Sequence, residues 1–161
     1  MLKKLFSILA IIALVASVAA CAPATKEESA QGITDDLVLI ANCAATSGAF
    51  APVGVPFIAG IKAYLEVVNA AGGIDGRQIQ FLHQDDEFDP IKGKACLAGM
   101  VEDEKVFAIV GHFGTPVVGA TLEDLKEYGI PAVYFATGIG QLYNDKAEGR
   151  DRGIMPVQPI Y

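Results

Sequence analysis

The sequence is short of positive charge: 12 Lys and Arg stand against 19 Asp and Glu in 161 residues, a formal charge of -7. A nucleic-acid partner wants a basic face, so this balance excludes one. There is no tryptophan and there are only three cysteines and two histidines. No G-x-S-x-G elbow and no H-E-x-x-H helix occurs, which leaves a hydrolase without a motif. Cys43 and His112 could end neighbouring strands as a dyad, but nothing supplies the third, orienting group. No enzyme activity is expected. Gly138-x-Gly140 lacks the third glycine of a dinucleotide fingerprint, and no strand leads into a full βαβ unit after it. The acidic run Asp85, Asp86, Glu87 and Asp89 lacks the alternating spacing and glycine of a calcium loop, so it reads as a solvated loop with one helix cap. Neither a cofactor nor a metal is expected.

What the sequence does have begins at its N-terminus. Lys3 and Lys4 precede an apolar run from Leu5 to Ala20 that ends in Val18-Ala19-Ala20-Cys21. A positive start, a short apolar core and small residues before a cleavage point make an export signal. A spanning helix would want about 20 apolar residues and no processing site. The cysteine directly after Val-Ala-Ala resembles the lipobox of bacterial lipoproteins. That resemblance implies cleavage before Cys21, lipid on its sulfur, and an exported protein held at the outer face of the cell membrane or in the periplasm. Residues 21–35 are then the lipidated cysteine and a tether, being small, polar and without periodicity.

From residue 36 onward strand and helix patterns alternate four times. Leu37–Ala41 is an apolar run, followed by a small-residue loop from Asn42 to Pro52. Phe57, Ile58, Ile61, Leu65 and Val68 fall at helical spacing over 55–70, and Gly72-Gly73 stops that helix. A strand over Gln78–His83 leads to the acidic loop and to Asp89-Pro90, a helix start that should carry through to about residue 101 or 102. Val106–Val110 runs into Gly111 and reads as a central strand buried on both faces. Thr115-Pro116 starts the third helix, with Thr115 as its cap, and Gly129 ends it. Pro131–Phe135 is a fourth strand, Gly138–Tyr143 a short helical start, 144–153 a polar loop and 154–161 an extended ending. This alternation is α/β, a doubly wound parallel sheet in which the first and third strands are neighbours. The crevice at that switch point is lined by the loops at 42–54 and 111–116, with 135–139 beside them.

Four segments in these positions resemble one family. The run 47–76, QDDEFDPIKG (84–93), VFAIVGHFGT (106–115) and GIPAVYFATG (129–138) are similar to the type I periplasmic binding proteins. The branch they resemble is that of the leucine/isoleucine/valine binders. The resemblance implies a two-lobe solute-binding fold that closes over a small molecule and delivers it to the permease subunits of an ABC importer. A branched-chain or other amino acid is the implied solute. Thr115 matches the family's hydroxyl residue after the third strand, with Gly114 before it. Ala136, Thr137 and Gly138 match its Ala-Ala-Thr-like stretch after the fourth, and Gly138 departs from the usual threonine. Val53 stands where some members carry a ligand-covering tyrosine. The family's proteins are roughly twice this long, so residues 36–161 are expected to be the first lobe, truncated before the second. A ligand-sensing receptor module on the same fold is the alternative.

Each of these residues also has a plainer role. Thr115 can cap its helix with or without touching a ligand, and Ala136–Gly138 can be an ordinary strand-to-helix turn. An exported protein can pair Cys43 with Cys96, closing about fifty residues, but two buried free thiols are the plainer outcome.

Overall fold

The computed structural model describes residues 30–161. The expected signal, Cys21 and most of the expected tether lie outside the described residues. Five parallel strands form one sheet in the order β2-β1-β3-β4-β5, with β1 Leu37–Ala44, β2 Gln78–Asp85, β3 Ala108–Val110, β4 Ala132–Val133 and β5 Ile154–Met155. The chain goes from β1 outward to β2 and then back across β1 to β3, which makes β1 and β3 the switch point. Leu37 stands opposite Gln78 and the register holds to Ala44 opposite Asp85.

Period-two alternation in β1 splits its side chains between two helical layers. Val38 and Ile40 pack with Ala108 and Leu65 under helix α1 (Ala51–Ala70). Leu39, Ala41 and Cys43 face the other layer, made by α2 (Pro90–Ala98) and α3 (Thr115–Tyr128), among Leu97, Val118, Leu122 and Leu125. Cys43 and Cys96 are both fully buried and joined by a disulfide, which ties β1 to α2. Asp89 caps α2: its Oδ1 accepts from the Ile91 amide at 2.8 Å and the Lys92 amide at 3.0 Å. The helical path continues through a π turn at Gly99–Asp103. Gly129, at φ 68°, ends α3 in the left-handed conformation that glycine takes without strain.

Several boundaries differ from the sequence expectation. Part of the expected tether is built into the domain. The Gln31 side-chain amide donates to the Val101 and Val106 carbonyls, and Leu39 donates to the Gly32 carbonyl. These bonds satisfy carbonyls at the ends of α2 and β3, a need that composition does not display. Strand β1 runs three residues further than Ala41, because Asn42, Cys43 and Ala44 stay paired with β2 and stay buried. Helix α1 starts at Ala51, with Pro52 in its first turn, and Pro56 lies inside it. The extended ending contains β5, a two-residue strand paired with β4.

Candidate functional site

The C-terminal ends of β1, β3 and β4 open on a cavity of about 670 Å³. Its floor is stitched by backbone bonds that continue the sheet past the strands. Phe113 donates to the Cys43 carbonyl, Ala136 to the His112 carbonyl, and Phe113 bridges Ala136 in parallel. Gly114 and Thr115 line the cavity on the β3 side and Ala136 on the β4 side, while Val53 overhangs from α1. Gly114 sits at φ 93°, and a Cβ there would stand 2.4 Å from the Phe88 ring.

Thr115 does not cap α3. The cap position is Gly114, and no side chain bonds the free amides of the first turn. Having entered the helix, Thr115 turns its hydroxyl to the β4 loop, where it meets the Thr137 hydroxyl at 2.8 Å. Thr137 is fully buried and also accepts from the Ile139 amide at 3.3 Å. Thr137 and Gly138 therefore stand behind the cavity wall, Thr137 touching it through Thr115. Gly138 meets the end of the chain: Tyr161 donates to its carbonyl, and a Cβ on it would stand 2.1 Å from the Pro159 carbonyl oxygen. The Thr137 hydroxyl, the Gly138 backbone and, less strongly, the Thr115 hydroxyl hold the Tyr161 phenol below its ordinary pKa. Neutral donors thus converge on one oxygen at this place, and they favour its anionic form.

Behind the loops lie polar groups that the sequence did not single out as a set. His83 Nδ1 meets Asn42 Oδ1 at 2.8 Å, and the Asn42 amide donates to the Gly111 carbonyl at 3.0 Å. The Asn42 oxygen can only accept, so His83 carries its proton on Nδ1. Its Nε2 then accepts from the Thr46 hydroxyl at 3.0 Å. This ladder crosses from β2 through β1 to the loop after β3. Burial lowers the His83 pKa, with the Lys62 charge adding to it, so the neutral ring is favoured. His112 is fully buried and well apart from a dyad role. The Thr121 hydroxyl is committed to the Val117 carbonyl at 2.9 Å, so His112 Nε2–H donates to Thr121, also at 2.9 Å. Burial pulls its pKa down to about 4, and the Cys43 carbonyl offsets part of that. Asp85 accepts from the amides of Thr46 and Glu87 at 2.9 and 3.0 Å and braces the loop after β1.

Aromatic rings are the largest feature that sequence reading missed here. Phe50, Phe57, Phe88, Phe113 and Tyr134 all line the cavity. They come from four separate segments, so no local period could have gathered them. Among the described residues, no group of three or more His, Cys, Asp or Glu is arranged to hold a metal ion.

The family model described as periplasmic binding protein matches residues 38–157. The chain belongs to the periplasmic binding protein family. It is of type I, in the branched-chain amino acid branch. Among relatives of this periplasmic binding protein, an amino acid binding protein of Pseudomonas aeruginosa is 34% identical over 87 residues, covering 54% of this chain and 23% of that protein. Leu/Ile/Val-binding protein homolog 2 of Brucella abortus is 30% identical over 93 residues, covering 58% of this chain and 25% of its own. The chain thus spans about a quarter of the length of the curated relatives it matches. A substrate-binding periplasmic protein from Ralstonia solanacearum superposes with a TM-score of 0.69 at 25% identity, over 77% of this chain and 34% of that one. The branched-chain amino acid transporter substrate binding protein of Streptococcus pneumoniae, solved in complex with isoleucine, gives a TM-score of 0.62 at 27% identity over 66% and 31% of the two chains.

Proposed function

We propose that this chain carries the first lobe of an extracytoplasmic solute-binding lipoprotein, which passes a small carboxylate-bearing solute, an amino acid or a close analogue, to the permease of an ABC importer. The observation that supports this best is the Thr115–Thr137 hydroxyl pair at the switch point, backed by the Gly138 backbone and by the first turn of α3. A carboxylate placed there meets hydroxyls and free amides at the positive end of a helix. The lining has no charged side chain among the described residues, so the ligand's charge is met by neutral donors. Val53, Gly114 and Ala136 supply wall and backbone. The relatives named above, an amino acid binder and an isoleucine complex among them, favour the same class. A receptor module that senses a ligand on this fold would use the same donors, and no observation favours it over transport.

Saturation-transfer NMR suits the test because it reads weak binding, and one lobe is expected to hold a ligand weakly when closure is what buries most of it. Once a carboxylate ligand is found, Thr115→Val should weaken it ten- to a hundred-fold, the effect of about 1.5–3 kcal/mol for a lost bond to a charged group. Thr115→Ser should retain most of the affinity. Unchanged binding in Thr115→Val would remove this residue from the site.

A further inference from the structure

The cavity is walled by rings to a degree that its donors do not require. Five of the eight phenylalanines in the sequence line it, and Tyr134 joins them. Their faces are ordered. Phe50 stacks on Phe88 with ring centroids 3.6 Å apart and 13° between planes. Phe57 and Tyr134 are nearly parallel, 8° apart at 5.8 Å. Phe113 meets Phe88 edge-on at 5.8 Å. Two of these side chains stand on backbone that L-residues rarely adopt, Phe88 at φ 65° and Tyr134 at φ 59°. Bulky side chains resist that conformation, so the fold holds both rings at the cavity against local preference. Phe50 and Tyr134 remain 41% and 50% exposed, so core packing alone does not account for their place. By contrast the branched aliphatic side chains in the lining are Val53 and Val157.

We infer that the solute taken by this site is a monocarboxylate bearing an aromatic ring, with its ring among Phe50, Phe57, Phe88, Phe113 and Tyr134 and its carboxylate at Thr115. The inference rests on the solute-binding reading and names the substrate class within it. Flat faces and ring edges offer offset-stacked and edge-to-face contacts that a planar ligand group uses and a branched aliphatic group does not. The cavity, about 670 Å³, has room for a ring and a short acid chain. The Thr115 hydroxyl, with Thr137 behind it, serves a carboxylate whether or not an ammonium stands beside it, so an aromatic amino acid and a simple aromatic acid share this chemistry.

The test uses the exported full chain as its Cys21→Ser variant, so that no detergent is present. Four probes are titrated by saturation-transfer NMR: phenylalanine, 3-phenylpropionate, leucine and 4-methylpentanoate. The two aromatic probes should bind about tenfold more tightly than their aliphatic counterparts, with the strongest saturation on their ring protons. Whichever of phenylalanine and 3-phenylpropionate binds better identifies the amino acid or the simple acid as the source. Phe50→Leu and Tyr134→Leu, at partly exposed positions that keep a side chain of useful size, should each weaken the aromatic probes about fivefold and shift 4-methylpentanoate less than twofold. If leucine or 4-methylpentanoate binds as well as the aromatic probes, the aromatic class is overturned and the solute-binding reading stands. A loss of aromatic and aliphatic binding together in the two variants would overturn the ring subsite in the same way. If none of the four binds, both readings fall.

Discussion

Asp86 and His112 are fully buried beside the ends of β2 and β3, and burial disfavours the charged form of each. Asp86 keeps one oxygen on the Phe88 amide at 2.9 Å and leaves the other without a partner, and its carboxyl is pushed up to about 6. Burial is the largest cause, with the Asp85 charge adding to it. A carboxyl raised on folding stabilises the protein most below its unfolded pKa of 3.8, and that contribution fades as pH climbs through 6. His112 works the other way. Its pKa falls from 6.5 to about 4, so its contribution is complete above 6.5 and fades as pH drops toward 4. His83 is lowered too and adds to the acid-side loss. Asp85, held down to about 2, titrates below this window. Asp86→Asn removes the one group among the described residues whose raised pKa adds stability as pH falls from 6.5 to 4. Between pH 6.5 and 4 that variant should lose about 2 kcal/mol more than the parent. Denaturant melts at several pH values read the difference, and parallel slopes would show that Asp86 titrates like an exposed carboxyl.

Among the elements, the bond between β1 and α2 carries the largest single expectation. The Cys43–Cys96 disulfide has a sequence separation of 53, and a loop of that length corresponds to roughly 4 kcal/mol in the chain-entropy account. Reductant, or the pair Cys43→Ala and Cys96→Ala, should lower the melting midpoint by roughly 10–20 °C. A parent that melts at the same temperature with and without reductant would mean that the bond adds nothing. The cap at the head of the same helix is smaller: Asp89→Ala should cost about 1 kcal/mol by the same melts. Asp89-Pro90 could be read as a cap from the residues because both signals are local. The alternation of strands and helices and the β1–β3 switch point were equally legible, since apolar runs and connection rules fix them. What was not legible depended on partners far along the chain. Thr115 looks like a cap until Thr137 draws its hydroxyl across to β4. The two-residue strand β5 exists only through its pairing with β4, and Gln31 belongs to the domain only through the Val101 and Val106 carbonyls. Phe50, Phe57, Phe88, Phe113 and Tyr134 reach the cavity from four segments, and no period or motif in any one of them points to the other three.

At the scale of the whole molecule, charge and anchor make separate predictions about the membrane. Without Lys3 and Lys4 the chain keeps 10 basic residues against 19 acidic ones, so an anionic lipid surface repels it. Charge therefore does not hold the chain at such a surface. We propose that a lipid is carried by Cys21, which follows the positive start, the apolar run and Val18-Ala19-Ala20. The ten residues from Cys21 to Gln31, whose side chain bonds the domain, reach at most about 35 Å. A lipid on Cys21 would hold the domain within that distance of the bilayer. Two acyl chains on one residue hold against dilution, and ionic strength does not act on them. The parent protein should therefore partition into detergent and stay in the membrane fraction through a wash in concentrated salt. Cys21→Ser should appear in the soluble fraction with its melting midpoint unchanged. Detergent partitioning of Cys21→Ser equal to that of the parent would end the lipoprotein reading, and release of the parent by salt would put charge in the place of lipid.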